Sequence, residues 1–341
     1  MLAVTFQEPG RVEIEERPDP ELHAPEDAVV RVEASGICGS DLHIYHGRVQ
    51  IEPGFTIGHE FVGTVEAVGD AVTSVAAGDR VLGTFHTACG TCFFCRRGLF
   101  QKCDHARVYG HGATLGNLQG TQAERVLVPH ANLSLRRVPE GISDASALFA
   151  GDVMGTGYHS VVAAGIRAGD TVAVIGLGPV GLCAVIAAKV AGAAHVIGVD
   201  PVEERGRTAE RLGATYAPED PRGAVKGLTE GRGADIAVDA VGHPDALDTA
   251  IRLARKGGTV SVVGVYAERQ QVHMGLIWIK NLTLVTGHAN VIAHLDPVLA
   301  LMQAGKVDIG PLVSREMPLT EAADAYAAYA EHSALKIVLR P

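Results

Sequence analysis

The sequence is poor in aromatic residues: one Trp, seven Tyr and eight Phe in 341 positions. That excludes the stacking platforms of an aromatic-rich carbohydrate or nucleic-acid binder. Positive charge is also short, with 29 Lys and Arg against 39 Asp and Glu, a formal net charge of −10. An acidic chain repels polyphosphate, which argues against sequence-independent nucleic-acid binding. No basic run exceeds two residues, so a polybasic membrane anchor is not expected. Met1–Gly10 reads as a short strand and lacks the apolar core of a leader, so a cytoplasmic location is expected. The one long uncharged stretch, Thr171–Ala188, has Gly176, Gly178, Pro179 and Gly181 in its middle. It reads as a buried strand, turn and helix, not as a membrane span.

Glycine, by contrast, is abundant at 41 residues, as in α/β proteins with tight strand-to-helix turns. A soft prior of roughly 150 residues per domain gives about two domains. Short β-branched or alternating runs at Leu2–Phe6, Ala28–Glu33, Phe61–Val68, Arg80–Leu82 and Arg125–Val128 predict a sheet-and-loop domain without a long helix. From about Gly155 the rhythm becomes strand–helix: Thr171–Ile175, Pro179–Ala191, His195–Val199, Val202–Leu212, Asp235–Ala240, Pro244–Ala254 and Thr259–Val265. Such alternation predicts an α/β doubly wound parallel sheet. Helices Leu295–Ala304 and Thr320–Tyr329 and a strand Lys336–Leu339 close the chain, the last expected to return to the first domain.

Gly176-Leu177-Gly178-Pro179-Val180-Gly181 is a G-x-G-x-x-G between an apolar strand and a helix. Its glycines permit a tight turn, a close approach of pyrophosphate to the backbone, and close helix–strand packing. Asp200, at the end of the second strand, is placed to accept hydrogen bonds from ribose hydroxyls and to repel a 2′-phosphate, so NAD is expected over NADP. The same residue also suits the start of the next helix. Arg205 is near enough to join the cofactor set, although it and Arg207 read most simply as solvated helix charges.

Of six cysteines, Cys89, Cys92, Cys95 and Cys103 fall within fifteen residues. In a chain of this size such clustering reads as metal binding, not as a disulfide framework. Four thiolates fill a tetrahedral Zn²⁺ and leave no open position, the mark of a structural site. The ferredoxin pattern of an iron–sulfur cluster has a shorter last spacing and a following Pro, whereas Asp104 follows here. Arg96, Arg97 and Lys102 would offset part of the charge. Cys183 reads as core.

A single Cys or His is more often a core residue than a ligand. Cys38-Gly39-Ser40-Asp41 and Gly58-His59-Glu60, however, occur beside the cysteine lobe, the Gly176–Gly181 loop and the closing Lys336-Ile337-Val338-Leu339. With these motifs the chain resembles the zinc-dependent medium-chain alcohol dehydrogenases over essentially its whole length. The resemblance implies a Rossmann domain at 154–289 and a β-rich GroES-like catalytic domain at 1–153 and 290–341, with the zinc lobe near 86–105. It implies two zinc ions and NAD. Cys38 and His59 match catalytic zinc ligands, Asp152 falls at the third, and Glu60 matches an auxiliary ligand. Ser40 matches the hydroxyl that contacts the substrate oxygen and His43 the relay histidine. Thr156, Val241, Gly264 and Val265 match residues near the nicotinamide. The expected reaction is hydride transfer between NAD and a small or medium alcohol, secondary ones included. A glutathione-independent formaldehyde dehydrogenase or dismutase, a polyol dehydrogenase, and a cofactor-binding protein without turnover are the alternatives. Partners are expected to be a small-molecule alcohol, aldehyde or ketone and further copies of the chain, as a homodimer or homotetramer, with neither nucleic acid nor membrane. His111 has no assigned partner and reads as a surface or core histidine, with a place in the substrate cleft the less simple reading.

Overall fold

The computed structural model describes residues 1–341 apart from Ala267 and His332. The chain divides into two units, Met1–Asp152 with Asn290–Pro341, and Val153–Ala289.

The second unit is built on a six-stranded, all-parallel sheet. Its order is Thr215–Tyr216, His195–Val199, Thr171–Ile175, Ala234–Asp239, Ala254–Val262 and Thr283–Thr286. Every residue of the central strand Thr171–Ile175 is buried, as its unbroken apolar run requires between two helical layers. Sequence order reverses on either side of that strand, and a doubly wound sheet takes its ligand at such a switch point. The helix Pro179–Val190 starts with Pro at its first turn, and Gly181–Ala188 is buried throughout, which accounts for the long uncharged stretch without a membrane. Among the described residues no helix is long and apolar enough to cross one.

Several elements exceed what the residue patterns predict. Helix Pro221–Leu228 is capped by Asp220, whose side chain accepts the Gly223 N–H. Helix Met274–Lys280 is capped by His273 through Nδ1, at 3.0 Å from the Leu276 nitrogen. The strand predicted at Thr259–Val265 begins at Ala254 and ends at Val262, because the Lys256-Gly257-Gly258 segment joins the ladder despite its poor β propensity.

In the first unit, Leu2–Glu8 pairs with Arg11–Glu16 and with the two-residue strand Phe55–Thr56. A larger sheet runs Arg315–Pro318, Ile337–Arg340, Ala28–Gly36, Phe61–Val68, Arg80–Gly83 and Leu135–Arg137, with Arg125–Val128 also on Ala28–Gly36. The C-terminal strand pairs antiparallel with Ala28–Gly36 through Val338–Gly36 and Leu339–Ser35. This joins residues from the two ends of the chain directly beneath the Cys38 turn.

Candidate metal and cofactor sites

Three loops of the first unit converge on one buried group. Cys38 precedes the short helix Gly39–Tyr45, and His59 and Glu60 precede the strand Phe61–Val68. Asp152 follows the helix Asp144–Ala150. Cys38, His59, Glu60 and Asp152 are all buried, and one ligand atom from each lies within 4.8 Å of the others. His59 Nε2 stands 3.3 Å from Asp152 Oδ2 and 3.2 Å from Ser40 Oγ. Among the described residues no group forms a hydrogen bond to the buried Asp152 Oδ2 or Glu60 Oε2. Two unpartnered carboxyl oxygens beside a thiol and an imidazole form a donor set suited to a zinc-like cation.

Three residues that support this group are not evident from sequence. Asp41 is fully buried; its Oδ2 accepts the Cys38 N–H at 2.9 Å and its Oδ1 stands 3.1 Å from His59 Nδ1. Among the described residues Asp41 Oδ1 and His59 Nδ1 make no aligned hydrogen bond, so the carboxylate acts on the imidazole through its charge, from behind a ring whose Nε2 faces Asp152 and Ser40. Gln122 donates from Nε2 to the Gly36 carbonyl at 3.0 Å and accepts from the Tyr326 hydroxyl at 2.8 Å, bracing the same turn. Lys336 Nζ meets Glu60 Oε1 at 2.5 Å, with both side chains fully buried. Gly36 makes room for that carboxylate, since a Cβ there would stand 2.1 Å from Glu60 Oε2.

Burial raises the Cys38 thiol above its ordinary value, and the Asp152 charge adds to this. Burial also pushes Glu60 up to about 7, against the pull of Lys336. Burial alone would raise Asp152, but the adjacent His59 ring outweighs it and holds the carboxyl well below the usual range. At His59 burial favours the neutral ring, yet Asp41 and Asp152 outweigh it and raise the imidazole. His43, one turn beyond Ser40 on the same helix, is half-buried, and burial followed by the Arg48 charge lowers it, favouring a neutral ring.

The sulfur atoms of Cys89, Cys92, Cys95 and Cys103 also gather within 4.8 Å, all as free thiols. Backbone N–H groups turn toward them: Cys89 and His105 donate to Cys103 Sγ at 3.3 Å, and Cys95 to Cys92 Sγ at 3.5 Å. At Cys89 burial opposes ionisation, but N–H and hydroxyl donors from Thr91 outweigh it and lower the thiol to about 6. Such a nest suits thiolates bound to a metal. The Arg97 guanidinium lies 3.6 Å above the Phe93 ring and donates to the Phe93 carbonyl at 3.2 Å.

In the second unit Gly176 has φ +87° and Gly178 caps the helix that begins at Pro179 and Val180. A Cβ on Gly181 would fall 1.8 Å from the Gly176 carbonyl oxygen, so helix and strand meet only because it is glycine. Asp200 is buried: Oδ2 accepts the Leu177 N–H at 2.7 Å and Oδ1 the Val202 N–H at 2.8 Å. Arg205 lies 3.6 Å from Asp200 Oδ2, so it is an ion-pair partner and not a solvated helix charge. Val241 and Val265 are exposed. Val241 lies against Gly176, where an added Cβ would meet its Cγ2 at 2.4 Å, and Gly264 packs on Gly242. Thr156 lies on the helix Val153–Val162, which packs on Pro179–Val190 through Gly157.

A parallel sheet with a glycine loop at its switch point, in one chain with a Cys/His/carboxylate cluster, defines the class of nucleotide-dependent oxidoreductases that use a metal. The family profile described as "Alcohol dehydrogenase GroES-like domain" matches residues 24–140, and that described as "Zinc-binding dehydrogenase" matches residues 179–304. The chain is 36% identical to an "Uncharacterized zinc-type alcohol dehydrogenase-like protein AdhB" of Bacillus subtilis over the full length of both. It is 32% identical to a sorbitol dehydrogenase of Halalkalibacterium halodurans, covering 97% of this chain and 96% of that protein. The solved structure of "Alcohol dehydrogenase TADH from Thermus sp. ATN1" matches with a TM-score of 0.95 and 43% identity, over 100% of this chain and 99% of that one. The chain therefore belongs to the zinc-dependent medium-chain alcohol dehydrogenase family. It is an α/β oxidoreductase of Rossmann and GroES-like parts that uses zinc and a nicotinamide cofactor on a small-molecule substrate.

Proposed function

We propose that the protein is an NAD-dependent alcohol dehydrogenase acting on small or medium alcohols, secondary ones included. The buried group of Cys38, His59, Glu60 and Asp152 carries this reading. Cys38, His59 and Asp152 would hold one zinc ion with Glu60 as auxiliary, and the four lobe cysteines a second. When bound, zinc acidifies an alcohol hydroxyl and the nicotinamide accepts hydride. Ser40 would take up the hydroxyl proton while releasing its own, and His43 on the same helix, whose ring burial keeps neutral, would accept the released proton. The Asp200 carboxylate binds the adenosine ribose, and Thr156, Val241, Gly264 and Val265 border the nicotinamide. The likeness to a sorbitol dehydrogenase supports a polyol as a second reading of the substrate.

A second copy of the chain is the partner this reading expects. Thr283–Thr286 lies at the end of the parallel sheet, and beside it Met274, Trp278, Ile279 and Leu284 are exposed. Trp278 is 78% exposed, an unusual cost for a large ring unless covered by a partner. Lys280 Nζ donates to the carbonyls of Ile251, Arg252 and Ala254 and so pins the helix that carries the patch.

The test combines metal analysis with turnover. Purified enzyme should carry two zinc ions per chain by the site count. Chelation that empties the Cys38 group should abolish alcohol oxidation with NAD, and zinc should restore it. Full turnover by metal-free enzyme would overturn the proposal.

A further inference from the structure

Beside the metal donors, in the same unit, stands a histidine that the chemistry above does not use. His111 lies in a turn between Gly110 and Gly112, at φ +70° and +65°. Both glycines are in left-handed backbone and in tight quarters. A Cβ on Gly110 would stand 2.6 Å from the Gly58 carbonyl oxygen, and one on Gly112 2.8 Å from Ile51 Cγ2. The turn is therefore seated on the segment that presents His59. The two imidazoles meet edge to face, with centroids 5.3 Å apart and planes at 62°.

The hydrogen bonding of His111 fixes its tautomer. Nδ1 lies 2.8 Å from the Tyr109 carbonyl oxygen. A carbonyl only accepts, so Nδ1 carries the proton and a neutral ring keeps its lone pair on Nε2. Among the described residues no group bonds to Nε2. The ring is only partly exposed. An acceptor without a protein partner, on a ring packed against a proposed metal ligand, is the kind of group that a substrate satisfies and an analogue lacking the donor leaves bare.

We propose that His111 Nε2 accepts a hydrogen bond from a second hydroxyl of the substrate, on the carbon next to the one oxidised. The substrate class is then a vicinal diol or polyol, in preference to a simple secondary alcohol. The inference rests on Cys38, His59 and Asp152 as the centre that receives the reacting hydroxyl. An alcohol held there would lie beside His59, whose ring adjoins that of His111 with centroids 5.3 Å apart, so that the substituent on its neighbouring carbon would face the adjoining ring. A methyl group in that place buries the Nε2 lone pair unpaired, whereas a hydroxyl pairs it.

Propane-1,2-diol and propan-2-ol form a matched pair differing by one hydroxyl. With zinc-loaded enzyme and NAD, kcat/KM for the diol should exceed that for propan-2-ol by about tenfold or more. In His111→Phe, which retains a ring against His59 but no acceptor, the ratio should fall toward one. His111→Leu carries the same expectation should the larger ring not fit, and His111→Gln, which restores an acceptor, should recover part of the preference. Calorimetric titration of zinc-loaded protein without nucleotide should show the same change in relative affinity. A ratio near one in the wild type, or a ratio unchanged in both apolar variants while propan-2-ol is still oxidised, overturns the role of His111. Failure of the zinc-loaded wild type to oxidise either alcohol, with no zinc retained by the Cys38 group, overturns the underlying site as well, and the metal content separates the two failures.

Discussion

Replacing Asp200 by asparagine probes the adenosine end of the cofactor site with little change of shape. The wild-type carboxylate is 4% exposed and accepts two backbone N–H groups, from Leu177 and Val202, with Arg205 3.6 Å away. Asparagine keeps one carbonyl oxygen, so one N–H stays paired while the other meets an amide. Any loosening of Leu177, inside the glycine loop, affects NAD and NADP alike and cancels in their ratio. Two effects do not cancel. A hydrogen bond from a ribose hydroxyl to an ionised acceptor is worth about 1.5–3 kcal/mol against about 0.5–1.5 for a neutral one, so its weakening costs about 1–1.5 kcal/mol in kcat/KM for NAD. Arg205, released from its counter-ion, becomes available to a 2′-phosphate, worth about 1 kcal/mol for a partly exposed pair. Together these give about 2–2.5 kcal/mol, so the NADP:NAD ratio of kcat/KM should rise about 30-fold or more at tenfold per 1.4 kcal/mol. Steady-state kinetics with one alcohol and both cofactors measures it, and adding Arg205→Ala to the Asp200→Asn variant should remove the NADP gain. An equal fall for both cofactors would show that Asp200 only braces the glycine loop and has no part in ribose selection.

Asp41→Asn removes the charge behind His59, so zinc affinity should fall about 10- to 100-fold in competition with a calibrated chelator; an unchanged constant refutes that role. Asp144 bonds Arg80 at 2.5 Å and Arg340 at 2.9 Å, and although burial opposes it, the two guanidinium groups hold its carboxyl below the ordinary value. A depressed carboxyl stabilises the fold above its unfolded pKa and loses that contribution as pH falls through the folded value. Asp144→Asn should thus cost about 1 kcal/mol at pH 7 in urea denaturation. The gap should close progressively below about pH 4, and a pH-independent gap would refute the linkage. Trp278→Glu combined with Leu284→Lys should reduce the mass measured by light scattering to that of a smaller assembly, and an unaltered mass would place the interface elsewhere.

Much of this organisation was legible because the signals are local. The run Thr171–Ile175, Pro179 at a helix start and Gly213 after the helix Glu203–Arg211 each declare themselves within a few residues. The cysteine lobe is likewise written in one loop. The omissions are of two kinds. Phe55–Thr56 and Thr215–Tyr216 are two-residue strands, too short for any periodicity. Asp220-Pro221 did carry a cap-and-proline signal for the helix Pro221–Leu228, whereas a histidine cap at His273 is seldom a helix start. At the candidate site the proposed ligands follow from motifs, but their supports do not. Gln122 and Tyr326 are 204 residues apart, and nothing local to either indicates the other. Arg205 shows the same limit at short range, since its helix position gave no sign that it turns back to Asp200.

The pairing of Lys336 with Glu60 has a consequence for biosynthesis. The two residues are 276 positions apart, and the whole second unit is translated between them. At bacterial and eukaryotic elongation rates this separates their appearance by roughly 15–55 s. During that interval the contiguous second unit can fold while Ser35 and Gly36 still wait for the strand that covers them. Glu60 has no ammonium partner until Lys336 has been made. A chain interrupted before residue 336 would have the cysteine lobe and the glycine loop, yet lack the cation that pairs the buried Glu60 carboxyl in the first unit.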